Sequence, residues 1–138
     1  MNDQDFTTQY KCIAIVGSRD YPDWTHVTRY VDKLPWATVV ISGGARGVDT
    51  VAVRYAAQRS LMTEVYKAYW NLHGKAAGMI RNQKIVDAAD KVVAFWDGKS
   101  RGTADTIAKA RKAGKPCEVY VAVPEDGQWQ CVLQDDAL

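Results

Sequence analysis

The chain contains no Gly-x-x-x-x-Gly-Lys-Ser/Thr loop and no Gly-x-Gly-x-x-Gly run. The first absence argues against a P-loop nucleotide triphosphatase, the second against an ordinary NAD-dependent dehydrogenase. Cysteine is scarce: Cys12, Cys117 and Cys131 show no Cys-x-x-Cys or other metal-ligand spacing, so no metal site is expected. Cys12 and Cys117 each open an apolar run, as buried free thiols do. Their odd count, with no leader-like segment, fits a reducing compartment, and a cytoplasmic location is expected. No apolar run approaches the ~18 residues of a membrane span, so no membrane partner is expected. No Ser-His-Asp or Cys-His nucleophile set stands out. Neither sign of charge dominates, with 18 Lys and Arg against 16 Asp and Glu, a net +2. That balance makes nucleic acid an unlikely partner by composition.

What is present is a repeated junction. Three apolar, strand-like runs stop at glycine and give way to helix-like runs. They are Ile13-Ala14-Ile15-Val16-Gly17-Ser18-Arg19, Val39-Val40-Ile41-Ser42-Gly43-Gly44-Ala45-Arg46-Gly47, and Val92-Val93-Ala94-Phe95-Trp96-Asp97-Gly98-Lys99-Ser100-Arg101-Gly102-Thr103. Each carries an arginine. Backbone N–H groups at a helix start attract anions, and glycine lets a phosphate approach them closely.

The rest of the chain fits one α/β domain over residues 1–138, with 47% hydrophobic residues to supply its core. Strands are expected at 11–16, 38–41, 62–67, 91–96 and 118–123. Helices are expected from about Pro22 to Leu34, capped by Asp23 or Thr25, and at 48–59, 76–89 and 103–113. Gly114, followed by Pro116, is a good helix stop. Residues 68–75 read as a loop. Gln128 to Leu133 is a candidate sixth, edge strand after an Asp126-Gly127 turn. Met1 to Gln9 is polar and expected to fray. Alternating strands and helices predict a Rossmann-like three-layer sandwich, its mainly parallel five-stranded sheet ordered 3-2-1-4-5.

In such a sheet the ligand sits outside the carboxyl ends of the strands, where the order reverses. The candidate binding residues there are Gly17, Ser18, Arg19, Ser42, Gly43, Gly44, Arg46, Asp49, Asn82, Ser100, Arg101, Gly102 and Thr103, with Arg81 from the third helix beside them. Arginine matches phosphate or carboxylate oxygens two at a time. Asp49 and Asp105 both fall in the first turn of an expected helix, where a carboxylate serves the helix dipole or chemistry. Thr103 either bonds phosphate or caps its helix. Trp70 either stacks on a base or packs its own loop.

Together these motifs resemble the SLOG superfamily, which takes its name from the DNA-uptake protein DprA (Smf) and the cytokinin-activating LOG enzymes. Its small YspA-like members (DUF2493) are the closer likeness. Ile15-Val16-Gly17-Ser18-Arg19, Ser42-Gly43-Gly44-Ala45-Arg46-Gly47-Val48-Asp49, Gly78-Met79-Ile80-Arg81-Asn82 and Gly102-Thr103 follow that group's order, over roughly residues 11–121.

The resemblance implies a nucleotide or nucleotide-derived ligand and no cofactor. The LOG enzymes are phosphoribohydrolases, which release the base from a nucleoside 5′-monophosphate. By that likeness Arg81 and Asp105 are the candidate catalytic pair. Asp105 would sit near the ribose, and Arg81 would orient it or assist the leaving base. Gly44, Gly102 and Thr103 would hold the 5′-phosphate. The match departs twice. Asp97-Gly98-Lys99-Ser100 replaces a Pro-Gly-Gly segment, and Asp105 is one methylene shorter than the family's glutamate. Two further readings stand beside hydrolysis: a non-catalytic sensor or sequestering protein for a nucleotide signal such as an ADP-ribose derivative, and DprA-like binding of single-stranded DNA. The LOG likeness also implies a homo-oligomer.

Overall fold

A computed structural model of the protein describes residues 11–125 and 128–134. The Met1–Gln9 terminus and the Asp126-Gly127 turn lie outside the described residues. The elements are β1 (Cys12–Gly17), α1 (Trp24–Asp32), β2 (Val39–Ser42), α2 (Val48–Gln58), β3 (Met62–Val65), α3 (Trp70–His73), a 3-10 turn (Gly74–Ala76), α4 (Ala77–Ala88), β4 (Lys91–Trp96), α5 (Arg101–Lys112), β5 (Cys117–Glu125) and β6 (Gln128–Gln134). One sheet holds all six strands in the order β3-β2-β1-β4-β5-β6. The first five pair in parallel, and β6 pairs antiparallel with β5.

Strand alternation explains the three layers. Ile13 and Ile15 of β1, with Val93 and Phe95 of β4, pack under Val27 and Val31 of α1 and Val48, Ala52 and Ala56 of α2. The intervening residues Ala14, Val16, Val92 and Ala94 pack on the other face, against Ile85 and Val86 of α4 and Ile107 and Ala110 of α5. A strand covered on both faces is apolar along its length, as β1 is and as β4 is past Lys91, the buried lysine that opens it and pairs with Glu118 at 3.3 Å.

Helix ends follow their local chemistry. Asp23 caps α1 through its side chain, which accepts from the His26 N–H at 3.2 Å. Gly114, at φ +71°, ends α5. The Lys115 N–H reaches the Ala110 carbonyl and the Gly114 N–H reaches Arg111, a Schellman pair of bonds.

Three expectations shift. Residues 68–75 are not plain loop, because α3 and the 3-10 turn form there. Helix α5 begins at Arg101, two residues early, with Ser100 as its N-cap. Arg101, Gly102 and Thr103 are therefore first-turn helical residues, and Asp105 moves into the second turn. The sequence misled because Gly102 looks like a loop glycine, yet the chain is already turning at the Asp97–Ser100 bend.

Phe95 is fully buried and rings itself with aromatics. It meets Tyr21 and His26 edge-on at centroid distances of 5.5 and 5.0 Å and stacks on Tyr120 at 5.3 Å. Phe95→Ala is expected to cost about 3–5 kcal/mol, read as a lower urea midpoint at unchanged slope.

Candidate anion-binding rim

The strand ends at the switch point are tied together by one carboxylate. Asp49, the second residue of α2, is 4% exposed. Its Oδ1 accepts from the Gly17 N–H at 3.2 Å, and its Oδ2 accepts from Gly43 at 3.2 Å and Ala45 at 3.3 Å. Burial is the largest influence on its acidity and pushes its pKa up to about 6. The Ala45 N–H, the Arg81 guanidinium and the Gly17 and Gly43 N–H groups pull the other way and do not overcome it.

Arg81 enters from α4. Its Nη1 donates to the Gly43 carbonyl at 2.6 Å, and its Nε donates to Asn82 Oδ1 at 2.9 Å. A Cβ at Gly43 would lie 2.7 Å from Arg81 Nη1 and 2.9 Å from Asp49 Oδ2, so a larger residue would push both side chains out of these bonds. Asn82, buried, continues the chain of bonds. Its Nδ2 donates to the Gly102 carbonyl at 3.3 Å and to Asp105 Oδ2 at 3.0 Å. Lys109 holds the other Asp105 oxygen at 2.5 Å.

The β4–α5 loop is pinned separately. Asp97 Oδ1 accepts from the N–H groups of Lys99 and Ser100, both at 2.8 Å. Burial opposes ionisation of Asp97, but those backbone bonds together with the Ser18 and Ser100 hydroxyls outweigh it and hold the carboxyl below its usual range. The buried Ser18 hydroxyl bridges Ser100 Oγ at 2.9 Å and accepts from the Asp97 N–H at 3.0 Å.

These ties enclose a cavity of about 180 Å³. Gly17, Arg19, Arg46, Asp49, Arg81, Asn82, Ser100, Gly102 and Thr103, all named as candidates from the sequence, line it. Val16, Ala45, Ile85 and Thr106 line it as well and were missed. Helical spacing could have found two of them, since Thr106 lies three residues past Thr103 and Ile85 four past Arg81. None of the three ion pairs among the described residues involves Arg19, Arg46 or Arg81. At the open end, a Cβ built on Gly102 meets nothing within 4 Å, so the first turn of α5 is approachable.

Other candidates lie elsewhere. Ser42 is buried, and its hydroxyl clips β2 to the Ile15 carbonyl at 2.6 Å. Ser18 acts through Ser100 rather than at the cavity wall. Arg101 is exposed and lines neither this cavity nor the one beside it. Gly43 and Gly44 face that second, adjoining cavity. Asp105 does not line the first cavity, because Asn82 and Lys109 hold both its oxygens. No helix among the described residues is long and apolar enough to cross a membrane. Among the same residues, no group of three or more His, Cys, Asp or Glu could hold a metal.

Fold and rim together define a Rossmann-like α/β protein with a cationic cleft at its switch point. The YspA, cpYpsA-related SLOG family model matches residues 12–73. The gene 61 protein of Mycobacterium phage D29 is 39% identical over 114 residues, covering 75% of this chain and 91% of the phage protein. The chain belongs to this SLOG family. Among solved structures, DNA processing protein A (DprA) from Streptococcus pneumoniae superposes with a TM-score of 0.68 at 22% identity, covering 86% of this chain. This chain spans about half of that protein, 53%. DprA from Helicobacter pylori superposes with a TM-score of 0.64 at 20% identity, covering 91% of this chain and 71% of that one.

The H. pylori structure is described for its single-stranded DNA binding mode. The expectation that nucleic acid is an unlikely partner is corrected on that finding. It rested on net charge, a whole-chain sum blind to where the arginines gather.

Asp49 makes stability depend on pH with a definite sign. Its folded pKa lies above the ordinary 3.8, so its contribution is complete below about pH 4 and is lost as pH rises through about 6. Asp49→Asn lacks this titration. The unfolding free energy of the wild type minus that of D49N is expected to fall by about 2 kcal/mol from pH 4 to pH 7. Urea unfolding at several pH values measures it, and a flat difference would place the carboxylate in a more solvated setting.

Proposed function

We propose that the rim binds the phosphate of a nucleotide or nucleotide-derived ligand and does not cleave it. SLOG family membership and the fold shared with DprA support a nucleotide- or DNA-related binding role. One observation carries the finer reading. Three arginines, Arg19, Arg46 and Arg81, and the first turn of α5 line a cavity whose one lining carboxylate, Asp49, is already bonded to three N–H groups. That leaves a surplus of positive charge and of donors beside a helix N-terminus, which is what a phosphate completes.

Cleavage receives less support. N-glycosidic hydrolysis needs a carboxylate free to approach the ribose or to hold water. Asp105 is held by Asn82 and Lys109, and Asp49 by the loop backbone. A second reading draws on the H. pylori neighbour: a strand of single-stranded DNA laid over the same arginines.

Calorimetric titration with ribose 5-phosphate tests the site. Arg19→Ala and Arg46→Ala are each expected to weaken binding about 10-fold or more, the scale of a hydrogen bond to a charged group. Chromatography of a nucleoside monophosphate after overnight incubation is expected to return it intact, and released base would refute the non-cleaving reading. A labelled oligonucleotide separates the second reading. Its log affinity would fall against log salt with a slope of about −0.7 per phosphate contacted.

A further inference from the structure

The Gly43–Ala45 loop stands between two cavities, which share Ala45 and Arg81 as wall residues. The second encloses about 320 Å³ and is also lined by Gly43, Gly44, Lys67 and Trp70. That volume falls within the about 300–1,000 Å³ of small-molecule pockets. Phosphate binding in the first cavity makes no use of it.

Trp70 is the unusual wall. It keeps 59% of its surface exposed and belongs to neither core cluster. It is nonetheless braced, because a Cβ at Gly78 of α4 would lie 3.4 Å from its Cη2. An exposed indole, supported at one edge and lining a concave wall, offers a flat apolar face at little entropic cost. Lys67 brings a flexible amine to the same wall, a donor suited to ring nitrogens and carbonyl oxygens.

Resting on the phosphate reading above, we infer that this second cavity is a nucleobase subsite with Trp70 as its stacking platform. The ligand is then an intact, base-bearing nucleotide rather than a bare sugar phosphate. Its phosphate lies among Arg19, Arg46 and Arg81. Its ribose crosses the edge formed by Ala45 and Arg81, and its base rests on the indole. Stacking accepts any base, since every base has a π-face, and purines present the larger one.

Calorimetry with ribose 5-phosphate and the four common nucleoside 5′-monophosphates tests this. The wild type is expected to bind at least one nucleotide about 5- to 140-fold more tightly than ribose 5-phosphate. Trp70→Ala should abolish that advantage while leaving ribose 5-phosphate affinity unchanged, which also shows that the variant is folded. Trp70→Phe should restore most of it. If ribose 5-phosphate binds but no nucleotide improves on it, or if the advantage survives in W70A, the base subsite is wrong and the phosphate reading stands. If neither kind of ligand binds, the phosphate reading falls and the subsite with it.

Discussion

The buried carboxylate of Asp49 is the interaction on which the rim depends. It gathers N–H groups from the end of β1 and from two positions in the loop after β2, and it does so from the first turn of α2. Three loop donors and one helix start are thereby fixed as a unit. Removing the acceptor would strand three donors, one buried and two part-buried, and such a group costs more unpaired than it contributes when paired. The charge itself is poorly solvated, which is why its pKa rises despite four favourable neighbours. The arrangement trades acidity for geometry.

On the proposed reading, that trade decides where an incoming anion can go. A glycine-rich loop after a strand commonly offers its backbone to phosphate. Here the Gly17, Gly43 and Ala45 N–H groups are already committed to Asp49. The capacity left over lies in the first turn of α5 and in three arginines of the cavity lining. Arg81 joins the two sides. It grips the Gly43 carbonyl, and through Asn82 it reaches Gly102 and Asp105 on α5. Helices α4 and α5 are thus braced against the β2 loop by a continuous run of hydrogen bonds, and the carboxylate at its far end is drawn into a pair with Lys109. An acid so placed positions its neighbours better than it reaches a substrate.

Charge shows why a sum can mislead where a map does not. The net +2 of the chain is small. Electrostatic attraction falls off within about a Debye length, ~8 Å at physiological salt, so a ligand at the rim, as proposed, would respond to Arg19, Arg46, Arg81 and Asp49 rather than to distant pairs.

The sequence by itself determined the sheet order, the helix on each crossover and the edge at which the arginines and glycines gather. All of these follow from local periodicity, from glycine at strand ends and from the handedness of βαβ connections. It also named most of the cavity lining, because residues just past a strand end have little choice of location. Tertiary structure alone decided what each did there. Ser42 and Ser18 became internal clips, Asp105 left the cavity wall and Asp49 became its organiser, since hydrogen-bond partners 23 to 82 residues apart leave no local trace. The α5 start was misread because Gly102 has no side chain to reveal that the helix had begun. Trp70 stayed ambiguous until its neighbours were known: periodicity reports which residues recur on a face, not whether that face lines a cavity.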